Sequence, residues 1–410
     1  MADLPATDGF YEVWLIDTEI QRLISLGPVR PDGSYAVPGD IDHREFPIVD
    51  VSVEPPRWRP DPLRRQHPPG HAELTARRSR ALWLLSASMG RRGVVAPLRD
   101  DHRLGVHVKI LVTGATGFVG WHVTAALDAA GHDVSAMTRR PEQYRGTGAA
   151  VRGDIADVGS LRSALDGQDV AFYLVHSLGH PDFAERDRTG ARAFGDAAAR
   201  AGVSQIVYLG GLGEDDDALS PHLRSRREVE RILSDTVPTT ALRAGIVIGD
   251  GSISWEILRQ LVERLPAMVT PRWVQTRTQP IALADAVRFL VGVAGLDAAI
   301  GETYEIGGPH ALSYRDMLVT VAEMTGRRRV IVPVPVLTPR LSSHWLRLVT
   351  DVDLTTAVAL VDSMTNEVVV HDHRIEELVD HRPMDFPEAA AAALAARARR
   401  LRGSADAGSS

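Results

Sequence analysis

From Val108 onward the apolar positions alternate between two rhythms. Short, almost continuous apolar runs, KILVTG (Lys109–Gly114), DVSAMT (Asp133–Thr138), DVAFYLVH (Asp169–His176), SQIVYLGG (Ser204–Gly211) and TTALRAGIVIG (Thr239–Gly249), read as strands buried on both faces. Between them, apolar residues recur every three or four positions. This spacing predicts helices over WHVTAALDAAG, stopped by Gly131, and near Asp157–Leu165, Arg188–Ala201 and Arg224–Ser234. Strands that alternate with amphipathic helices predict an α/β fold with a doubly wound parallel sheet over residues 108–250. Residues 251–385 are less regular and read as a smaller lobe that would carry the substrate side. An Ala- and Arg-rich helix, Ala389–Arg402, and the tail to residue 410 read as a solvated end.

The front of the chain has another texture. YEVWLI (Tyr11–Ile16), LISLGPV (Leu23–Val29), SYAV (Ser34–Val37) and FPIVDVSVE (Phe46–Glu54) read as four short antiparallel strands. The turn signals Pro31-Asp32-Gly33 and Pro38-Gly39-Asp40 separate them. Four strands make a core too small to stand with certainty alone. Residues 57–107 then read as a disordered Pro/Arg-rich linker: six prolines fall between Pro55 and Pro69, and eleven arginines face four acids from 55 to 107.

Composition narrows the function classes. The chain has 410 residues, with 46 basic and 53 acidic side chains and a formal net charge of −7, which argues against nucleic acid as the main partner. An apolar share of 44% with 24% charged residues fits a soluble globular protein. No apolar run of about 18 residues is present, so no transmembrane helix is expected. Zero cysteines exclude disulfides, thiolate metal sites and cysteine nucleophiles; no metal site is expected, and the cytoplasm is the expected compartment. Lys109 is the single lysine among those 46 basic residues, so any chemistry that needs a lysine must use it.

Gly114-Ala115-Thr116-Gly117-Phe118-Val119-Gly120 closes the first strand of the α/β region and opens its first helix. Glycines are needed where backbone turns sharply and where it lies against a pyrophosphate. The helix N-terminus then offers free N–H groups and a positive dipole end to that anion. At the end of the second strand, where an NAD site usually places an acid, stands Arg139. A guanidinium suits a 2′-phosphate, so NADP is expected over NAD. Asp154 and Ile155, after the third strand, fall where an adenine edge would meet them.

On LVTGATGFVG (Leu111–Gly120), RGDIAD (Arg152–Asp157), IVYLGGLG (Ile206–Gly213), HLRSRREVE (His222–Glu230), LRAGIVIG (Leu242–Gly249), PIALADAV (Pro280–Val287) and YEIGGPHALSYRDM (Tyr304–Met317), residues 108–385 resemble the atypical and extended short-chain dehydrogenase/reductases, with their NmrA-like and epimerase-like relatives. The resemblance implies a Rossmann-like sheet. It also implies cofactor contacts at Gly114, Thr116, Gly117, Phe118, Val119, Arg139, Asp154 and Ile155, with Ala115 inside the same loop. Residues 10–56 resemble the C-terminal domain of RskA-type anti-sigma factors, cut short after Pro56. That likeness suggests a fused or mis-started reading frame, with the true start near Val108; a genuine fusion would make the fragment a protein-contact module.

At its catalytic pair the chain departs from the resembled pattern. The families use Tyr-x-x-x-Lys, in which the lysine lowers the phenol's pKa for proton exchange during hydride transfer. Here the matching positions hold His222 and Arg226, the serine position falls in Gly210-Gly211, and Lys109 starts the first strand at the end remote from the cofactor. An imidazole with an ordinary pKa near 6.5 is a competent acid or base. His176 and Ser177 are weaker candidates. On the substrate side, Arg272-Trp273, Arg277 and Gln279 would face an anion or a ring, or else solvent. Val330–Arg347 would pack as a proline-rich and then amphipathic cover, line a greasy pocket or touch a membrane surface. Three function classes follow: an NADP-dependent oxidoreductase or epimerase-like enzyme on an unidentified small molecule, a non-catalytic NADP(H) sensor or scaffold of NmrA type with a protein partner, and, ranked last, an anti-sigma-derived regulator acting through residues 1–56.

Overall fold

The structure is a computed structural model that describes residues 10–16, 23–28, 48–54, 107–213, 219–270, 272–333, 351 and 354–407. The chain divides into two units, Met1–Arg99 and Asp100–Ser410. In the first, β1 (Phe10–Ile16) lies between β2 (Leu23–Pro28) and β3 (Ile48–Glu54) in an antiparallel sheet. The register with β3 is unbroken, from Phe10 opposite Glu54 to Ile16 opposite Ile48, whereas the register with β2 shifts at Val13/Trp14. The SYAV segment and the Pro/Arg-rich stretch up to residue 106 lie outside the described residues.

The second unit opens with β4 (Lys109–Val112), α1 (Phe118–Ala129), β5 (Asp133–Thr138) and β6 (Ala149–Arg152). It continues with α2 (Val158–Leu165), β7 (Val170–Tyr173), α3 (Phe183–Ala201), β8 (Gln205–Gly211), α4 (Pro221–Ser234) and β9 (Thr239–Ala244). Local chemistry sets the helix ends. Asp157 caps α2 through the N–H groups of Gly159 and Ser160, while Ser220 caps α4 ahead of Pro221 at its first turn. Gly202 closes α3 in the left-handed conformation, at φ 76°. These boundaries lie within a few residues of those the periodicity predicts. The exception is α3, which begins at Phe183 rather than near Arg188.

The sheet has seven strands in the order β14-β9-β8-β7-β4-β5-β6, every pair parallel. The seventh strand comes from far along the chain. After β10 (Val247–Ile248), α5 (Ile253–Arg264), β11 (Ala267–Thr270), β12 (Arg277–Thr278), β13 (Ile281–Ala282) and α6 (Leu283–Gly292), β14 (Thr303–Ile306) returns to pair with β9. The sheet and its covering therefore draw on residues beyond 250: α6 packs against α1, and Phe289 and Leu290 are buried with Val123 and Leu127 on one face. The other face buries Leu161, Leu165, Phe194 and Ile232 beneath α2, α3 and α4. The run Thr239–Gly249, expected as one strand, breaks at Gly245, where a Cβ would lie 2.8 Å from the Gln279 carbonyl oxygen.

The remaining lobe contains β15 (Leu312–Ser313), α7 (Tyr314–Met324), β16 (Val330–Pro333) and the helices Leu354–Ser363 and Phe386–Ala407. Strand β16 runs parallel to β11; the part of Val330–Arg347 beyond Pro333 lies outside the described residues. Trp255, Val262, Met317, Val321 and Val361 form the lobe's core. The C-terminal helix is not a solvated end. Phe386, Ala389, Ala390 and Ala393 are buried against that core, with Arg397 paired to Glu263 and Arg400 to Asp250. Alanine shortens the distance at which a helix can approach its neighbour, so a face of small residues packs as readily as a face of leucines.

Candidate active site

Strands β4, β5 and β6 run out from one side of the sheet's centre and β7, β8 and β9 from the other. The crevice between β4 and β7 is thus the switch point where doubly wound sheets bind ligands. Both sides of that crevice are tied to Thr113. Its hydroxyl donates to the Phe172 carbonyl at 2.9 Å and accepts the Leu174 N–H at 3.1 Å. The loop that follows turns at Gly114 (φ 66°), where a Cβ would lie 2.8 Å from the Leu174 carbonyl oxygen, and the Gly117 N–H closes onto the Gly114 carbonyl at 2.8 Å. At Gly120 a Cβ would lie 2.1 Å from that same carbonyl oxygen, so loop and helix can approach this closely only with glycine there.

No side chain caps α1 and no acid stands in its first turn, so its positive end is left for an anion. That loop and helix end fit a dinucleotide pyrophosphate. The Ala115 side chain is buried in the core and can contribute only backbone to a ligand; Thr116 is exposed, and Phe118 and Val119 line the adjoining cavity. Arg139, at the end of β5, is exposed and forms no ion pair among the described residues. Asp154 accepts the Ala156 N–H through one oxygen, at 3.0 Å, and donates its own N–H to Ser160. Ile155 turns its side chain toward α3 at Gly190.

A cavity of about 320 Å³ runs from this helix end across the carboxyl ends of β7 and β8. Phe118, Leu174, Leu209, Ile246, Leu360 and Met364 make its walls largely apolar, with His176, His222, Arg226 and Ser363 among its polar points and Ser252 and Ser254 also in its lining. Helix Leu354–Ser363 packs against α4 and delivers Ser363 to His222, with Nδ1 3.0 Å from Oγ. Ser363 Oγ donates its hydrogen to the Ala359 carbonyl at 2.8 Å, so in this bond it is the acceptor and Nδ1 carries the proton. Nε2 of His222 is then the lone-pair nitrogen. His176 has the opposite tautomer: its Nδ1 accepts the Leu178 N–H at 3.3 Å, which puts the ring hydrogen on Nε2.

Both imidazoles stay neutral in the resting protein. Burial, then Arg226, then His176 push His222 down to about 3. Burial and Arg226 push His176 down to about 4. Arg226 donates to the Leu209 carbonyl and lies 4.9 Å from the centre of the Tyr208 ring, whose hydroxyl donates to the Arg226 carbonyl at 3.0 Å. Buried Asp187 accepts the Ser177 N–H at 2.7 Å and fixes the loop that carries His176; burial raises its pKa.

His222, Arg226 and His176 are therefore brought together, while Ser177 is bonded to Asp187. Glycines stand where the resembled pattern has serine: a Cβ on Gly210 would lie 3.2 Å from Tyr208 and one on Gly211 would lie 2.9 Å from Leu223, so a side chain at either position would need those neighbours to give. The expected substrate-side residues lie elsewhere. Arg277 is exposed and pairs with Glu367 at 3.7 Å, and the Gln279 side chain is buried, bonded to the Gly308 carbonyl and the Val370 N–H. Trp273 borders a small annex behind the main cavity, and the Arg272 side chain lies outside what is described. Ser363 and Met364 were not expected, and the one sequence signal for them is a serine closing an apolar helix. Among the described residues no group of three or more His, Asp or Glu converges, and no helix is long and apolar enough to cross a membrane.

Residues 114–260 match a family model described as NAD(P)H-binding. The chain is 34% identical over 231 residues to (4-alkanoyl-5-oxo-2,5-dihydrofuran-3-yl)methyl phosphate reductase of Streptomyces griseus, covering 53% of this chain and 74% of that one. It is 27% identical over 263 residues to 2-alkyl-3-oxoalkanoate reductase of Stenotrophomonas maltophilia, covering 54% and 77%. Among solved structures, the NADPH-dependent quinone oxidoreductase of Escherichia coli complexed with NADPH shares the fold with a TM-score of 0.57 at 20% identity, over 69% of this chain and 98% of that one.

Proposed function

Because the chain belongs to the NAD(P)H-binding family, with reductases among its relatives, we propose that it is an NADPH-dependent reductase of a small carbonyl compound bearing apolar substituents. One observation carries the reading: a single cavity joins the free N-terminus of α1 to His176, His222 and Arg226. When bound, NADPH supplies a hydride. The chain's own groups do the rest. The glycine loop and the first turn of α1 hold the pyrophosphate, and Arg139 holds the ribose 2′-phosphate, favouring NADPH over NADH. Asp154 offers its free oxygen to the adenine edge.

The apolar walls suit the alkanoyl and alkyl groups that the names of the two relatives mention. The carbonyl takes a hydride on carbon and a proton on oxygen. With Nε2–H on His176 and a bare Nε2 on His222, the pair can donate one hydrogen bond to an oxygen and accept one from a hydroxyl. Carbonyl substrate and alcohol product both fit such a pair. Solvent supplies the proton that the oxygen takes: a water reaching the exposed His176 ring gives it up and leaves as hydroxide, while Nε2–H of His176 holds the oxygen and the bare Nε2 of His222 orients that water.

The test is a fluorescence titration of NADPH and NADH into the full chain and Arg139→Ala, followed by NADPH consumption with a panel of alkyl ketones and oxo acids. Tighter binding of NADPH than NADH, lost in Arg139→Ala, is expected. So is turnover that falls at least 100-fold in His222→Ala with NADPH affinity retained. Binding without consumption of NADPH by any carbonyl would overturn the reductase reading in favour of a dinucleotide-sensing regulator.

A further inference from the structure

Arg226 differs from the other inward-facing arginines. Arg188 pairs with Glu228, Arg243 with Glu230, and Arg259 with Glu256 and Glu263. Arg226 is half-buried, lines an apolar cavity, and has a peptide carbonyl and the Tyr208 ring as its partners, with no carboxylate at ion-pair distance among the described residues. Its Nε and Nη1 have no acceptor among those residues. A cation held in apolar surroundings is costly until an anion joins it, and a guanidinium fork fits the paired oxygens of a carboxylate or phosphate. Another part of the lining has a different character. Ile246, Tyr314 and Met364 are shared between the main cavity and a 20 Å³ annex lined by Leu258, Leu261 and Trp273, with no charged side chain.

We propose that the cavity selects an amphiphile, a carbonyl compound whose carboxylate or phosphate is held by Arg226 and whose alkyl chain runs along Ile246, Tyr314 and Met364, with its terminal methyl at the annex. The carbonyl then lies between the two ends, beside His176 and His222. The inference rests on the reductase reading for that carbonyl, but the recognition of head and tail is a property of binding. Arg226 is accordingly a specificity residue for a group that does not react.

The test is calorimetric titration of the full chain, saturated with NADPH, with hexanoate, hexyl phosphate, hexanamide and acetate. At least one of the six-carbon anions is expected to bind ten-fold or more tightly than hexanamide, about 1.4 kcal/mol. The tighter of the two identifies the head group as carboxylate or phosphate. Arg226→Gln should abolish that preference and Arg226→Lys should retain part of it, both with NADPH affinity kept. Leu258→Trp, which fills the annex, should weaken hexanoate while leaving acetate unchanged. Equal binding of hexanoate, hexyl phosphate and hexanamide, or a preference that survives Arg226→Gln, overturns the proposal. If the anions bind as expected and no oxo acid consumes NADPH, the reductase reading falls and this one stands. If carbonyls are reduced with no preference for an anionic head, this one alone falls.

Discussion

Replacing Gly120 with alanine tests the loop geometry most directly. The added Cβ would sit 2.1 Å from the Gly114 carbonyl oxygen, and the gap must widen by about 0.9 Å to reach 3.0 Å, still tighter than ordinary contacts. The atom in the way is backbone, so no rotamer relieves it. Either α1 withdraws from the loop or the loop opens, at a cost of roughly 1–3 kcal/mol for overpacking. A displacement near 1 Å at the pyrophosphate cradle should weaken NADPH binding by about ten-fold or more, equivalent to about 1.4 kcal/mol. Gly131→Ala is the matched control. Its φ of 88° makes alanine strained, at about 1–2 kcal/mol, yet nothing lies within 4 Å of the new Cβ and the residue ends α1 far from the cradle. Fluorescence titration of NADPH and thermal unfolding, run on both variants, separate the two effects. Gly120→Ala should lose binding and stability, whereas Gly131→Ala should lose stability alone. NADPH affinity within three-fold of wild type in Gly120→Ala would refute the close approach and the cradle built on it.

His222, held neutral and pushed down to about 3 from the ordinary 6.5, contributes stability that is fully present above pH 6.5 and is lost as pH falls toward 3, because the unfolded chain binds its proton first. At pH 5 the loss approaches about 2 kcal/mol before screening by water, and urea midpoints at pH 7 and 5 should fall less steeply in His222→Gln; equal slopes would contradict it. Asp285, buried in α6, accepts from His381 at 2.8 Å and from the Met384 N–H at 2.9 Å, so Asp285→Ala should cost about 2–4 kcal/mol in denaturant unfolding by stranding both partners. Arg277→Ala removes a solvent-exposed ion pair outside the cavity. It should change stability by less than about 0.5 kcal/mol and leave NADPH affinity untouched; a loss of binding would return Arg277 to the site.

Much of this architecture is legible in the chain because parallel strands are buried on both faces, so runs such as Lys109–Val112 and Val170–Tyr173 announce themselves without their partners. The glycine loop is legible for the same reason: its spacing is a local backbone requirement. What escaped reading depends on residues that meet only in three dimensions. TYEI (Thr303–Ile306) is four residues long, and its place beside β9 depends on the return of the chain through α6. In the C-terminal helix, alanines on every face leave no periodic signal for which ones are buried, and packing against α7 decides it. Ser363 reaches His222 across 141 residues, and the tautomer it imposes follows from the Ala359 carbonyl, which no linear pattern displays. The glycines at the serine position pack closely against the Tyr208 and Leu223 side chains, a neighbourhood that spacing alone does not show.

The single lysine has a practical consequence. Lys109 is exposed at the start of β4, which lies between β5 and β7, and Ile110 next to it is fully buried. A lysine-specific protease therefore has one cleavable bond in all 410 residues, between Lys109 and Ile110, and that bond becomes available only when the central strand leaves its neighbours. Appearance of two fragments on a gel would count opening of the middle of the sheet directly. Ligands that stabilise the closed form would slow that single cut in proportion to their binding, with no label and no engineered site.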